Sequence, residues 1–267
     1  MRLPRFVRRF IDPLTERVPV PVISGLNRGR LWSLASSGSG YAIGHRAAPQ
    51  MRLLRGLIRP GDVFWDVGAH HGYVSLMASA AVGPEGRVHA FEPGARNADM
   101  LARHLRWNRV RNVAIEPWAL GAFDGEAAFG GGDTSKMHAL GEGDERVEVR
   151  TARSLVAEGS HAAPDLLKID VEGAEGEVLE GAMPALPPHV RMLIAMHSAA
   201  ADRACVSILE AHGFGCVATP ELELARGGTG AWVGDPDLLA VGPAVPVTEA
   251  AAWITPHQPL HRAYSAG

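Results

Sequence analysis

Carboxylates and small residues gather at the ends of short apolar runs in this chain. The first group is Asp66-Val67-Gly68-Ala69-His70-His71-Gly72-Tyr73, which follows Val63-Phe64-Trp65. Gly68 permits a tight turn, Ala69 lets a ligand approach closely, and Gly72 opens a helix whose free N–H groups face that ligand. Glu92-Pro93 closes the next run, Val88-His89-Ala90-Phe91, and an acidic side chain there can accept two hydrogen bonds from a ribose diol. A nicotinamide cofactor would use the same logic, but its pattern is Gly-x-Gly-x-x-Gly. Here no glycine stands at position 70, and Asp66 precedes the turn. A carboxylate beside the cradle repels a pyrophosphate and attracts an amino group or a sulfonium. The cradle therefore suits S-adenosylmethionine better than a dinucleotide.

A methyl on a sulfonium is transferred by direct displacement, so holding donor and acceptor in line supplies much of the rate. A hydroxyl acceptor is a poor nucleophile and gains from a base within hydrogen-bond reach. The candidate catalytic residues stand at later strand ends: Asp170, Glu172, Glu175 and His197. Asp170 closes Leu166-Leu167-Lys168-Ile169 and is expected to face the sulfonium. Glu172 shares its parity if the strand continues. Glu175 lies one helical turn further on, where it could instead cap a helix start. His197 follows the run Met192–Met196, and its near-neutral pKa suits a base; the plainer alternative is a histidine satisfied by a backbone carbonyl.

Among 26 basic residues, Lys136 and Lys168 are the two lysines. Lysine inside an apolar strand implies a needed ammonium, paired with Glu172 or another buried acid, and a structural ion pair is the favoured reading. The glycine-rich loop Gly130–His138 offers Ser135 and His138 to an acceptor. His45, His104 and His212 read as surface residues. No set of His, Asp or Glu has metal-ligand spacing, although a metal-assisted route through Asp170 stays open.

Apolar runs alternating with helical stretches must position these residues. The runs are 63–67, 88–91, 113–115, 147–149, 166–170, 192–196, 214–218 and 238–241. The intervening helices are read at 72–81, 95–107, 174–181 and 205–212. This alternation predicts an α/β fold, an αβα sandwich of Rossmann-like type with a mostly parallel central sheet. Three parts follow: a helical and loop extension over 1–55, the binding domain over 56–242, and a Pro- and Ala-rich tail over 243–267.

Four segments carry a family resemblance: Asp66–Tyr73, Ala90-Phe91-Glu92-Pro93, Trp118-Ala119-Leu120-Gly121 and Leu167-Lys168-Ile169-Asp170-Val171-Glu172-Gly173-Ala174-Glu175. Together they resemble the successive motifs of FkbM-type methyltransferases over roughly residues 56–242. The resemblance implies the class I methyltransferase fold, S-adenosylmethionine as cofactor, and O-methylation of sugars, polyketides and related metabolites. It implies cofactor contacts for Asp66, Gly68, Ala69, His70, Gly72, Tyr73, Glu92, Pro93 and Asp170, with Trp118 and Ala119 against the adenine. Trp118 reads equally well as a core aromatic. The chain departs from the family at His70, where asparagine is usual, at Val156 in place of an aspartate, and at Ala195 in place of a glutamate.

The whole chain of 267 residues, 46% apolar and 21% charged, can bury a core, and its formal charge of −3 gives no field for nucleic acid. Cys205 and Cys216 have no disulfide or metal spacing, so a cytoplasmic location is expected. No run approaches the roughly 20 apolar residues of a membrane span. Residues 1–12 form a basic amphipathic start, with Phe6, Phe10, Val7 and Ile11 on one face. Packing on the domain or on a second copy is the favoured reading of it, with peripheral membrane contact as the other. The expected partner is a small-molecule or glycan acceptor. The alternative functions are an NAD(P)-dependent oxidoreductase and a methyltransferase-like binding module without activity.

Overall fold

The computed structural model describes residues 16–34, 36, 39–44, 48–130, 139–141, 143–227 and 236–254. Numbered in chain order, its strands are β1 Pro19–Pro21, β2 Leu31–Ser33, β3 Val63–Val67, β4 Arg87–Phe91, β5 Val113–Glu116, β6 Ala119–Leu120, β7 Gly125–Gly130, β8 Ala139–Leu140, β9 Glu145–Arg150, β10 Leu166–Ile169, β11 Arg191–Ala195, β12 Gly215–Ala218 and β13 Asp237–Val241. Its helices are α1 Ser39–Ile43, α2 Ala48–Leu57, α3 Tyr73–Val82, α4 Ala95–Trp107, α5 Ala152–Ala157, α6 Glu175–Ala182, α7 Ala199–Ala211, α8 Pro220–Gly227 and α9 Val247–Ile254.

Seven strands form the central sheet in the order β12-β13-β11-β10-β3-β4-β5. β11, β10, β3, β4 and β5 run parallel and carry apolar residues on both faces, as a sheet covered by helices requires. One face carries Phe64, Val88, Leu166 and Leu193 into one core, and the other carries Trp65, Phe91, Leu167 and Met192 into a second. From β3 the chain moves outward through β4 and β5, then returns to β10 on the opposite side of β3. The direction of winding reverses between β3 and β10, which is where an open α/β sheet has its crevice.

At four points the structure goes further than the sequence reading. The last strand, β13, pairs as expected but runs antiparallel to both β11 and β12, between which it is inserted; an apolar run carries no record of direction. The segment from 243 onward contains α9, whose Ala250 and Ile254 share a face and join the core with Leu54 and Leu239. The extension likewise runs into the core, since α2 buries Met51, Leu53, Leu54 and Leu57 there. A second sheet, β6-β9-β7-β8, fills the stretch between β5 and β10, where the sequence had signalled one strand. Among the described residues no helix is long and apolar enough to cross a membrane. Residues 1–12 lie outside the described residues.

Candidate active site

The crevice is built from the residues just past the carboxyl ends of β3, β4, β10 and β11. After β3 the backbone turns at Gly68 with φ 77°, and its N–H and that of Ala69 both donate to the Phe91 carbonyl at 3.0 Å. A Cβ on Gly68 would lie 2.0 Å from the Asp170 carbonyl oxygen, so the turns after β3 and β10 touch directly. His70 follows in the left-handed region at φ 51°, a conformation that asparagine and histidine tolerate better than most residues. This explains how His70 can replace asparagine at that position. The turn directs the His70 N–H to Glu92 Oε2 at 2.7 Å.

Glu92, past β4, is buried, and its other oxygen accepts from the Gly94 N–H and from Asn97 Nδ2, each at 3.0 Å. Burial raises its carboxyl above the usual range, while these three donors pull the other way. Pro93 is half-buried beside it. The support extends further: Asn97 Oδ1 meets His71 Nε2 at 3.1 Å, and His71 Nδ1 meets Ser36 Oγ at 2.5 Å.

Asp66, expected at the cofactor, is enclosed within the fold. Register sets it opposite Lys168, with both side chains on the same sheet face. Asp66 is fully buried; its Oδ2 accepts from Ser75 Oγ at 2.6 Å, and its Oδ1 is 3.2 Å from Lys168 Nζ. Its charge acts through that lysine. Lys168 pairs with the buried acid Asp66 and with Asp170, the latter at 3.5 Å, and donates to the Val67 and Gly68 carbonyls at 3.3 and 2.8 Å. Burial works against its charge, but the two aspartates outweigh it and raise its pKa. The ammonium thus clamps the turn after β3 to the turn after β10.

Beyond β10 the chain does not continue as a strand. Glu172 takes φ 54°, at a cost of about 1–2 kcal/mol for a non-glycine residue. That turn, rather than strand parity, brings Glu172 Oε2 to 3.6 Å from His197 Nε2. The same nitrogen lies 3.5 Å from Asp170 Oδ1. The other nitrogen, His197 Nδ1, donates to Glu175 Oε1 at 2.7 Å, and Glu175 is wholly buried at the start of α6, where it also accepts the Gly173 N–H at 3.0 Å. Burial opposes a charge on His197, but Asp170 and Glu175 prevail and push its pKa up to about 10. These two acids favour the imidazolium form of His197. Burial would raise the Asp170 carboxyl, yet Lys168 and His197 hold it well below the usual carboxylate range.

The remaining expected residues divide. Trp118 is half-buried, and its Nε1 has no hydrogen-bond partner among the described residues; Ala119 is buried in β6. The Tyr73 ring packs edge-on against Trp32 and Tyr41 at 5.2 and 4.9 Å, which engages it in holding the extension. Ser135 and His138 lie outside the described residues. His104, expected at the surface, is fully buried: it stacks on Trp32 at 3.7 Å, donates from Nδ1 to the His71 carbonyl at 2.8 Å, and accepts the Ser33 N–H at Nε2 at 3.0 Å. Asn97 and His104 were legible as polar members of the helical face that includes Leu101 and Leu105.

Residues 66–223 match the family described as the methyltransferase FkbM domain. Over 198 residues the chain is 33% identical to the 31-O-demethyl-FK506 methyltransferase FkbM of Streptomyces tacrolimicus, covering 60% of this chain and 75% of the relative. It is 29% identical over 155 residues to the hexuronic acid methyltransferase AglP of Haloferax volcanii, covering 55% and 61%. A solved SAM-dependent O-methyltransferase from Thermotoga maritima is 16% identical, with a TM-score of 0.47 over 75% of this chain and 66% of that one.

Proposed function

The chain belongs to the methyltransferase FkbM domain family, and from that premise we propose that it transfers the methyl group of S-adenosylmethionine to a hydroxyl of a sugar, polyketide or similar small metabolite. The observation that carries this reading is a convergence beyond four neighbouring parallel strands. Glu92, a carboxylate of the kind that binds a ribose diol, stands at one side of the β3–β10 reversal. The half-exposed acids Asp170 and Glu172 stand at the other. Trp118 fits the same cofactor, because its buried, unsatisfied indole N–H offers a donor beside an adenine site. The two relatives are named for acting on 31-O-demethyl-FK506 and on hexuronic acid, which favours an oxygen-rich acceptor.

S-adenosylmethionine supplies an electrophilic methyl on a positively charged sulfur. In this reading Glu92 holds the ribose hydroxyls, while Gly68 and Ala69 let the ligand approach the backbone. Asp170, kept ionised by Lys168, favours positive charge at the switch point. Glu172, with 40% of its side chain exposed, accepts the proton of the acceptor hydroxyl. His197, held by Glu175 and set close to both acids, is a positioning residue for them.

Calorimetry should show S-adenosylmethionine binding to the chain and at least a tenfold loss of affinity in Glu92→Ala. Labelled cofactor should methylate hydroxyl-bearing sugar or polyketide acceptors. Tighter binding of NADH than of S-adenosylmethionine, or no labelled product from any such acceptor, would overturn the reading.

A further inference from the structure

We propose that Asp170, Glu172 and His197 bind a divalent first-row transition ion of the Mn2+, Co2+ or Zn2+ type. The ion's role in transfer rests on the methyltransferase reading above; its binding does not. His197 Nε2 stands 3.5 Å from Asp170 Oδ1 and 3.6 Å from Glu172 Oε2, and the three ligand atoms all lie within 4.8 Å of one another. Those separations are longer than an ordinary N–H···O hydrogen bond of about 2.7–3.2 Å. They match the roughly 3.4 Å between two atoms that each sit about 2.1 Å from a shared tetrahedral centre.

The supporting shell has the form that metal-binding histidines require. Glu175 Oε1 accepts a hydrogen bond from His197 Nδ1 at 2.7 Å, which fixes the ring so that Nε2 points at the two acids. Glu175 is in turn held by the Gly173 N–H. The site is also open on one side: the Asp170 and Glu172 side chains are 34% and 40% exposed, against 11% for His197. A catalytic ion needs such an open position for its substrate. Carboxyl groups at Asp66, Asp170, Glu172 and Glu175 outnumber the basic groups Lys168 and His197, so a dication relieves the local charge. An imidazole among the ligands favours transition ions over Mg2+.

The second such grouping among the described residues, His89, Glu116 and His161, shows the contrast. There His89 Nδ1 and Glu116 Oε1 are 2.9 Å apart, a hydrogen bond, and all three side chains are less than one-tenth exposed. That cluster is closed and serves packing.

Binding displaces the Nε2 proton of His197 to solvent. Held by these three residues, the ion would supply a Lewis acid that lowers the pKa of an acceptor hydroxyl, and the second carboxylate oxygen of Glu172 would accept its proton. The hydroxyl oxygen then forms the bond to the methyl carbon as the carbon–sulfur bond breaks, leaving the methyl ether and a neutral thioether.

The full chain, stripped by a chelator, is titrated with Co2+ followed by visible absorption and with Zn2+ followed by calorimetry. We expect one ion per chain, with affinity at least tenfold lower in Glu172→Gln and in His197→Ala and unchanged in His89→Ala. Glu172 is exposed, so its variant keeps the test valid if His197→Ala does not fold. Glu175→Gln should weaken binding by about 10–100-fold without touching the ion. No binding to the unmodified chain, or binding that survives Glu172→Gln and is lost in His89→Ala, overturns the proposal. Titrating the same preparations with S-adenosylmethionine separates the two claims. A chain that binds the donor but no ion loses the metal site alone, and one that binds the ion but no donor loses the methyltransferase reading alone.

Discussion

The two sides of the β3–β10 crevice are held by different means. On the Gly68–Glu92 side the backbone does the holding. Positive-φ turns, paired N–H groups and a buried carboxylate with three donors leave few polar atoms unsatisfied. On the Asp170–His197 side charged side chains hold one another, and two acids stay partly open to solvent. The first arrangement fixes a shape, and the second keeps groups available for reaction. Lys168 joins them, because it touches the carbonyls of one side and an aspartate of the other.

The largest expected effect comes from cutting that joint. Lys168→Met leaves Asp66 and Asp170 without their cation, and losing one partner of a buried pair costs about 3–5 kcal/mol, read as a lower denaturant midpoint. A stability loss below one-fifth of that would show that the two sides are not coupled through the lysine. Gly68→Ala comes next. A Cβ there meets the Asp170 carbonyl and inherits a left-handed φ, a combination worth about 3 kcal/mol and a disturbed geometry on both sides.

His104 gives a smaller, pH-dependent effect confined to the first side. It is neutral in the fold, with its pKa lowered by burial to about 4 from an ordinary 6.5. The folded chain therefore binds fewer protons than the unfolded chain between those values. Stability is full above about pH 6.5 and declines as pH falls toward 4, by on the order of 2–3 kcal/mol. Chemical denaturation across that range should show the decline, and His104→Leu should flatten it. Smallest in stability is Glu172→Gln, within about 0.5 kcal/mol for an exposed side chain. Its effect should fall on kcat instead, by about 10–100-fold in a methyl-transfer assay. An equal loss of stability and rate would erase the distinction between the two sides.

Much of the crevice was legible from local pattern. Gly68, Gly72, Glu92, Asp170 and His197 each close an apolar run or open a helix, and the alternation of runs places all of them at one edge of the sheet. What local pattern could not show was partnership. Lys168 was recognisable as an out-of-place ammonium, but its partner depends on register: sliding β10 by one residue against β3 would separate it from Asp66. Glu172 was assigned by strand parity, whereas a left-handed turn sets its position. The charge of His197 could not be read from its ordinary pKa, because it depends on acids that the fold brings from β10 and α6.

The sequence by itself determined the αβα class, the crevice edge and the family, since these follow from periodicity and from motifs contiguous in the chain. The antiparallel insertion of β13, the enclosure of Asp66, the burial of His104 and the convergence of Asp170, Glu172 and His197 were decided by tertiary structure. Each is a distance between segments far apart in the chain, and electrostatic and hydrogen-bond energies depend on such distances rather than on residue type.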